Sequence, residues 1–559
     1  MDDTVSASDP RRITRRALMG AAGWTLSGVA VASLLQACAP TPVRTAPTPA
    51  ASTFAYPSYI PFQGPAPDLP GTPQGVPDAY FSYPRNLVKT VLSPPGAGDD
   101  VTFFVSPPGG VIPPPVEQNA AWQQVNKELK VNFKLNLAGT AQEANEKLGS
   151  MVAGGELPDL IFIGPVANIG NMAEFVQAKC ADLTPFLAGD AVKTFPNLAN
   201  YPTYTWKGPN VVFNNKIYGV PIWHSLASNL LLVRQDLADQ AGNAAINTAD
   251  DFKRALQAVT RPDDNVWGIA DQNFILTPYF AAQLFGAPNN WGLDANGKLV
   301  KDLETDQFKA GISYLRDLWS AGVFHPNSAT YNNVSFGQDF RAGRFVYCSY
   351  LEDAFTAFWS TLPQVAPTGR LGVVPPFSND GTSKARYFLG TGVFGVTIMN
   401  NGSADRVREV LGVLNYFGAP FGSQELELLT YGVQGTDFTL DPQGNPIPSQ
   451  NSFATHPVPW ALAGHGPNAL YNPVRAMDFA STLHNAEQAA ISAGVQDATL
   501  GLYSPTNSKL GPALKQALTD GIASVVTGRQ PFSDWDQVVK DWQNNGGNQI
   551  RTEYQQGMK

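Results

Sequence analysis

The sequence predicts an α/β protein with two lobes, each built on a mainly parallel sheet that helices flank. Two observations support this prediction. Short apolar runs alternate with segments of helical periodicity from Val101 onward, and strands that alternate with helices form βαβ units with a parallel sheet. The chain beyond residue 98 also holds about 460 residues, which is more than a single hydrophobic core normally organises.

The elements expected at the start of the first lobe follow one another closely. We expect a strand over 101–105, a helix over 117–130, and a strand over 131–137, where apolar and polar residues alternate. A helix over 141–154 ends at a glycine pair, and a third strand over 157–163 ends before a Gly-Pro step. These five elements make two βαβ units.

The N-terminus has the features of an export signal. The run TRRAL at 14–18 resembles the twin-arginine signal, and LQAC at 35–38 resembles the lipobox of bacterial lipoproteins. This resemblance implies that residues 1–37 are a signal peptide, that Cys38 is lipidated, and that the protein lies on the outer face of the cytoplasmic membrane. A transmembrane helix is the alternative, but the apolar stretch over 17–35 is diluted by Gly, Ser and Ala, and about 20 strongly apolar residues are needed to span a bilayer.

Residues 38–98 are rich in Pro, Thr, Ala and Gly and show no apolar period. Such a segment buries too little surface to offset the entropy of ordering, so we expect a Pro-rich tether behind the lipidated cysteine. The alternative is that part of it packs on the body. Phe81, Tyr83 and Leu87 are the residues that would do so.

Composition narrows the classes of partner. Charged residues make up 15% of the chain, the formal net charge is -9, and the sequence pI is near 5.1, which disfavours nucleic acid. We expect a monomer. Cys180 and Cys348 either form one disulfide or are two small buried residues.

Several short motifs stand in an order that resembles one family. They are GELPDLIFI at 155–163, YGVPI at 218–222, LLLVRQDL at 230–237, FRAGRFVY at 340–347 and YGVQGTDFTL at 431–440. Together they resemble the extracellular solute-binding proteins of ABC importers, and the last resembles the lipoprotein subgroup that binds alginate and related oligosaccharides. Gln434 stands where that subgroup often has Glu. The resemblance covers residues 99–559.

This resemblance implies a periplasmic-binding-protein-like fold, with a ligand cleft between two lobes that close by hinge motion. Lobe one would comprise 99–226 with 393–470, and lobe two 227–392 with 471–559. The chain would cross between them near 225–229, 391–394 and 469–478. The implied function is capture of a solute, an oligosaccharide first of all, for delivery to permease subunits, with no cofactor and no catalysis.

Candidate ligand-binding residues follow predicted strands, lie near the crossings, or cluster as aromatics with carboxylates. Ligands of open α/β sheets lie outside the carboxyl ends of the strands, and sugars need aromatic faces and hydrogen-bonding groups. The candidates are Asn168, Trp223, His224, Tyr279, Trp291, Tyr350, Glu352, Asp353, Phe355, Trp359, Phe394, Trp460 and Tyr471. Each aromatic could instead belong to the core, His224 could be structural, and the two acids could cap a helix.

Enzymatic and metal motifs are weak or missing in the sequence. GTGVFG at 390–395 fits G-x-G-x-x-G but precedes a predicted strand, whereas a dinucleotide loop opens a helix. No G-x-S-x-G, H-E-x-x-H or P-loop occurs, and DANG at 294–297 lacks an oxygen ligand that a calcium loop needs, so we expect no metal. Two alternatives stay open: an extracellular carbohydrate-active enzyme that uses Glu352 or Asp353, and a lipoprotein scaffold without a small ligand. The absence of a basic run near the predicted cleft disfavours uronate polymers.

Overall fold

The computed structural model describes residues 54–107, 111–164, 169, 171–242, 245–449 and 457–558. The signal sequence, Cys38 and Asn168 lie outside these residues. The strands are β1 Asp100–Val105, β2 Asn132–Leu137, β3 Leu160–Ile163, β4 Val212–Phe213, β5 Lys216–Ile217, β6 Gly219–Trp223, β7 Asn229–Arg234, β8 Trp267–Ile269, β9 Trp291–Leu293, β10 Leu299–Lys301, β11 Phe345–Leu351, β12 Leu371–Val374, β13 Tyr387–Phe388, β14 Val393–Met399, β15 Phe438–Leu440, β16 Pro446–Pro448 and β17 Gly494–Val495.

Helices surround these strands, and local sequence explains several of their ends. They are α1 Ala120–Leu129, α2 Ala141–Gly154, α3 Met172–Lys179, α4 Thr184–Leu187, α5 Pro196–Ala199, α6 Gln235–Gln240, α7 Ala249–Val259, α8 Thr277–Leu284, α9 Asp306–Ser320, α10 Asn333–Arg341, α11 Glu352–Val365, α12 Ala404–Phe417, α13 Gln424–Tyr431, α14 Ala476–Ser492, α15 Pro505–Val526, α16 Trp535–Trp542 and α17 Asn548–Gly557. Thr140 and Thr248 are N-caps whose side chains accept from backbone amides of the first turn of α2 and α7. Gly155 ends α2 in the left-handed conformation.

Sheet one has the strand order β2-β1-β3-β14-β6. β1 is parallel to β2 and β3, whereas β14 is antiparallel to both of its neighbours. Its apolar residues form one core with α1, α3, α5 and α12. We call this body of the chain lobe one.

Sheet two has the strand order β12-β7-β11-β8. β11 is parallel to its neighbour β8, while β7 is antiparallel to both of its neighbours, β11 and β12. Its two faces form two cores, one with α7, α8, α9 and α15 and one with α10, α11 and α14. We call this body lobe two; together the lobes form the two-lobed periplasmic-binding-protein-like fold.

Both sheets are therefore mainly parallel, as expected, and each contains one antiparallel strand: β14 in sheet one, where the other four strands run the same way, and β7 in sheet two, where the other three do. The two antiparallel strands β7 and β14 each begin directly after the chain has crossed from the other lobe. Each of these two strands begins at the side of its sheet where the crossing arrives and runs away from it, opposite to the neighbouring strands. Local periodicity contains no information about this direction.

Three segments connect the lobes. The first crossing is 224–228, between β6 and β7; the second is 389–392, between β13 and β14; the third is 463–475, between a short helical turn at Trp460–Leu462 and α14. In the second crossing, Gly392 has a φ of 76°. The G-x-G-x-x-G pattern leads into strand β14 here, so it does not form a dinucleotide loop.

Residues 54–98, which we call the strap, lie along the body and are not a free tether. Tyr83 is buried among Phe421, Tyr431 and Tyr471, with ring centroids 5.3 to 5.5 Å apart. Val88 makes a parallel bridge with Ser423. Over 54–98 the tether prediction is therefore wrong and the alternative, packing on the body, is confirmed for Tyr83. The segment needs no core of its own because its backbone bonds to the body.

Cys180 and Cys348 are free, buried thiols in the separate cores of lobe one and lobe two. Burial raises the pKa of the Cys180 thiol to about 12. Within the described ranges, no helix combines the length and apolarity that a membrane crossing requires.

Candidate functional site

Three rings lie in a row at one edge of sheet one. Phe162 in β3 is near-parallel to Phe394 in β14, with centroids 6.2 Å apart, and Phe394 is near-parallel to His224, with centroids 6.1 Å apart. β3 and β6 end at this edge, and β14 begins there. A Cβ added at Gly395 would lie 2.7 Å from Phe162 Cε2, so this glycine makes room for the Phe162 ring. We call Phe162, Phe394 and His224 the ring row; all three are half-buried.

The ring row ends at a contact with lobe two. His224 Nε2 lies 3.1 Å from Asp353 Oδ2, and His224 Nδ1 lies 3.1 Å from the Ser225 carbonyl oxygen. Asp353 is the second residue of α11, directly after β11. Its side chain is 60% exposed whereas that of His224 is 11% exposed, so the carboxylate is open to solvent beside the row.

The pKa values of this pair shift in opposite directions. Burial opposes the charged form of His224, but the hydrogen bond and charge of Asp353 outweigh it and raise the His224 pKa. Partial burial acts to raise the Asp353 pKa, but the bond from His224 and the charge of that ring hold it below its usual range. The two groups therefore attract as an ion pair in mildly acidic solution.

Two further carboxyl groups are buried behind this contact. Glu352 begins α11, with its backbone amide 3.0 Å from the Ser228 carbonyl oxygen, and Glu487 in α14 accepts from Ser225 Oγ at 2.7 Å. Glu487 is 0% exposed, and its second oxygen has no hydrogen-bond partner among the described residues. Burial raises the pKa of Glu487 to about 8, and burial with the nearby Glu487 charge raises that of Glu352 well above its usual range. Both acids are therefore neutral in mildly acidic solution.

Lobe two contributes a cluster of three polar side chains near the ends of β8 and β11. Gln272 Nε2 donates to Asn333 Oδ1 at 2.8 Å, and the Tyr350 hydroxyl lies 3.4 Å from an amide oxygen of each. Tyr350 stacks on Phe336, with centroids 4.7 Å apart, which fixes its ring. Amide and phenol groups arranged in this way can both donate to and accept from hydroxyl groups.

Several predicted residues near the first and third crossings are largely buried. Trp223 Nε1 donates to the Tyr204 hydroxyl at 3.0 Å, and Trp359 Nε1 donates to the Val474 carbonyl oxygen at 2.6 Å. Phe355 packs against Trp359 in the core beneath α11 and α14. These side chains hold the crossings and offer a ligand little surface.

The other predicted aromatics lie in packing clusters apart from the ring row. Tyr279 packs on Phe308, and Trp291 on Trp542 and Tyr554, in lobe two. Trp460 donates to the Leu429 carbonyl oxygen at 2.8 Å in the core of lobe one. The Tyr471 hydroxyl donates to Asn445 Oδ1 at 2.9 Å, beside the strap. A ligand-binding role for these four stays a prediction, and we leave them out of the site.

Sequence reasoning did not single out Phe162, Gln272, Asn333 or Glu487. Phe162 sits inside a predicted strand, where alternation alone gives no reason to select it. Glu487 did carry a signal: Leu483, Ala486, Glu487 and Ala490 share the buried face of α14. An acid on an apolar helix face needs a partner or a proton.

The described segments contain no group of three or more His, Cys, Asp or Glu side chains that could hold a metal ion. The arrangement at the crossings is instead one of aromatic faces, an exposed carboxylate, and amide and hydroxyl groups. Such an arrangement suits reversible binding of a polar solute between the lobes. The fold and this arrangement define a two-lobed binding protein.

Comparison with known proteins identifies the family. The family model of bacterial extracellular solute-binding proteins matches residues 120–412, which is more than half of the chain. This protein belongs to that family.

Individual relatives are distant but match over most of their length. The polygalacturonan/rhamnogalacturonan-binding protein YtcQ of Bacillus subtilis strain 168 is 25% identical over 453 residues, 77% of this chain and 87% of that protein. Lipoprotein LipO of the same organism is 21% identical over 440 residues, 76% of this chain and 85% of that protein. The crystal structure of the alginate-binding protein AlgQ2 without calcium ion is similar in fold, with a TM-score of 0.59 at 14% identity, over 84% of this chain and 99% of that one.

Proposed function

We propose that this protein captures an oligosaccharide outside the cell and delivers it to an ABC importer. The observation that carries the proposal is the ring row, which ends at the exposed Asp353 carboxylate of the opposite lobe. Aromatic faces pack on the C–H faces of sugar rings, and a carboxylate accepts from their hydroxyl groups. The names of YtcQ and AlgQ2, which describe binders of acidic polysaccharides, support a saccharide as the class of solute.

Each lobe would contribute a different kind of contact. Phe162 and Phe394 of lobe one supply apolar faces, and Gln272, Asn333 and Tyr350 of lobe two supply hydrogen bonds. A solute that bridges the two lobes binds best when they are close together, and so shifts the hinge equilibrium toward closure. We propose lobes of 99–226 with 393–470 and 227–392 with 471–559, supported by the strands that each sheet contains.

The test is a thermal-shift screen of the purified protein against oligosaccharides, amino acids and peptides. A ligand that binds only the native state stabilises it by about 2.7 kcal/mol at a concentration 100 times its Kd. We expect a rise in melting temperature with one class of oligosaccharide. A rise with peptides or amino acids alone would contradict the proposal.

Charge should decide between acidic and neutral saccharides. The open carboxylate of Asp353 would repel the carboxylate of a uronate, so we propose a neutral oligosaccharide rather than the acidic polymers after which the two relatives are named. Galacturonate and mannuronate oligomers belong in the screen beside neutral ones of equal length. Tighter binding of the uronates would overturn this part of the proposal and leave saccharide capture intact.

We propose that the protein acts by equilibrium binding and leaves the solute unchanged. Membership of a solute-binding family supports this, and the partners would be permease subunits with their ATPase. Incubation of the bound saccharide with the protein for hours, followed by chromatography, should return it intact. Shorter products would make the protein an enzyme.

We also propose that a twin-arginine signal exports the protein as a monomer and that lipid on Cys38 holds it at the outer face of the cytoplasmic membrane. The run LQAC at 35–38 and the similarity to lipoprotein LipO support the anchor. Cys38→Ser should release the protein from the membrane fraction into the medium or periplasm. Retention of this variant on membranes would disprove the lipid anchor.

A further inference from the structure

The strap is fixed to lobe one at both of its ends. Near its start, backbone amides of the strap donate to residues in and around α5. Near its end, they donate to residues at and just before the start of α13. The bonds are Ser58 N to Gly189 O at 3.0 Å, Ile60 N to Ala199 O at 2.7 Å, Phe62 N to Asn200 Oδ1 at 2.9 Å, Val88 N to Gly422 O at 3.0 Å and Val91 N to Glu425 Oε1 at 2.7 Å.

The middle of the strap bonds to a lobe crossing. Tyr80 donates its backbone amide to the Leu470 carbonyl at 3.1 Å, and the Leu470 amide donates to the Asp78 carbonyl at 2.8 Å. Ala79, between these bonds, is 0% exposed and shares a core with Leu470 of the third crossing and Ala227 of the first. This part of the strap therefore packs on two of the three hinge segments.

The middle of the strap also reaches lobe two. His484 Nε2 donates to the Pro70 carbonyl oxygen at 3.1 Å, and His484 lies on α14, which packs against sheet two through Phe479 and Leu483. The same part of the strap also contacts the first crossing. A Cβ added at Gly75 would lie 2.8 Å from Leu226 Cδ1.

This geometry has a consequence for motion between the lobes. Lobe closure in two-lobed binding proteins rotates one lobe against the other about a few hinge residues. A segment held to lobe one on both sides, and to the crossings and α14 in the middle, has to deform or detach when the lobes separate widely. We propose that the strap is a brace across the hinge that limits how far the two lobes open.

The brace can be tested without any ligand, by measuring the distance between two spin labels. Labels are placed on full-length protein at Glu174→Cys in lobe one and Ala258→Cys in lobe two, in a Cys38→Ser background; the native Cys180 and Cys348 are buried and free. Ala79→Asp places a charge in the core that the strap shares with the crossings. Val88→Asp is the matched control, because Val88 is 37% exposed and bonds only to lobe one among the described contacts.

We expect Ala79→Asp to add a population with a longer label distance, and Val88→Asp to keep the wild-type distribution. Gly75→Val provides a second variant that buries no charge, because its Cβ would clash with Leu226 and its φ of 112° disfavours a β-branched residue, so the strap has to move away from the first crossing. Gly75→Val should also broaden the distribution of label distances toward longer values. Wild-type distributions in both Ala79→Asp and Gly75→Val, each shown to be folded by its thermal transition, would overturn the brace. The result does not depend on whether the solute is a saccharide.

Discussion

Phe394 is the single side chain on which the proposed binding mode depends most directly. Phe394→Ala should weaken saccharide binding by about 2- to 10-fold, because an aromatic contact contributes about 0.5–1.5 kcal/mol beyond its buried area. Its ring is half-buried, so the thermal transition should persist. Calorimetric titration measures the affinity. Phe285→Ala, a half-buried ring in lobe two away from the ring row, is the control and should bind normally; equal loss in both variants would count against the ring row.

Asp353→Asn tests the ion pair between the lobes. The raised His224 pKa gives stability that is present below 6.5 and lost as pH rises through the folded pKa. The depressed Asp353 pKa gives stability that is present above 3.8 and lost as pH falls through the folded pKa. The stability difference between wild type and variant should therefore peak between about pH 4 and 6.5 and stay near or below 1 kcal/mol, since the carboxylate is exposed. An NMR titration should show a lower His224 pKa in the variant; an unchanged value would refute the pair.

At the scale of elements, α14 contains a buried acid that makes the stability of the fold depend on pH. Glu487 holds a proton in the folded state up to a pKa of about 8, whereas the unfolded value is near 4.5. The free energy of unfolding should thus fall as pH rises from 4.5 to 8, by at most about 1.4 kcal/mol per pH unit for this proton. Glu487→Gln cannot titrate and still accepts from Ser225.

Urea unfolding of wild type and Glu487→Gln from pH 5 to 8 measures this difference. We expect the free energy of unfolding of the variant to rise relative to that of the wild type as the pH increases. Parallel pH profiles would show that Glu487 is ionised throughout, with a partner that the structure does not show.

Elements with local signals could be predicted, and elements defined by distant partners could not. The helix expected over 141–154 matches α2 because its Thr cap and terminal glycines are local. The directions of β7 and β14 could not be predicted, because they depend on which lobe the chain has just left. Asp353 and His224 were selected from neighbouring residues, but their contact joins positions 129 apart. Trp291 and Trp460 are likewise buried by other helices, with partners 251 and 31 positions away.

At the scale of the whole molecule, the strap should contribute to stability. A body that begins at residue 54 should melt at a clearly higher temperature than one that begins at residue 99, because removal of 54–98 exposes the surfaces that cover Tyr83 and Ala79 and leaves the Glu425 carboxylate without its backbone donors. Differential scanning calorimetry of the two forms decides this. Equal melting temperatures would mean that the strap does not contribute to the stability of the two lobes.

The position of the strap in the chain also bears on the order of folding. Residues 54–98 leave the ribosome early, yet the groups they bond to include Gly422, Glu425, Leu470 and His484. Tyr83 donates to Asn445, 362 positions further along. Contacts of such long separation form slowly, and the early segment has to wait for the last fifth of the polypeptide. A chain truncated late in synthesis would therefore leave residues 54–98 undocked and open to proteolysis, so cleavage within this segment would distinguish unfinished from finished molecules.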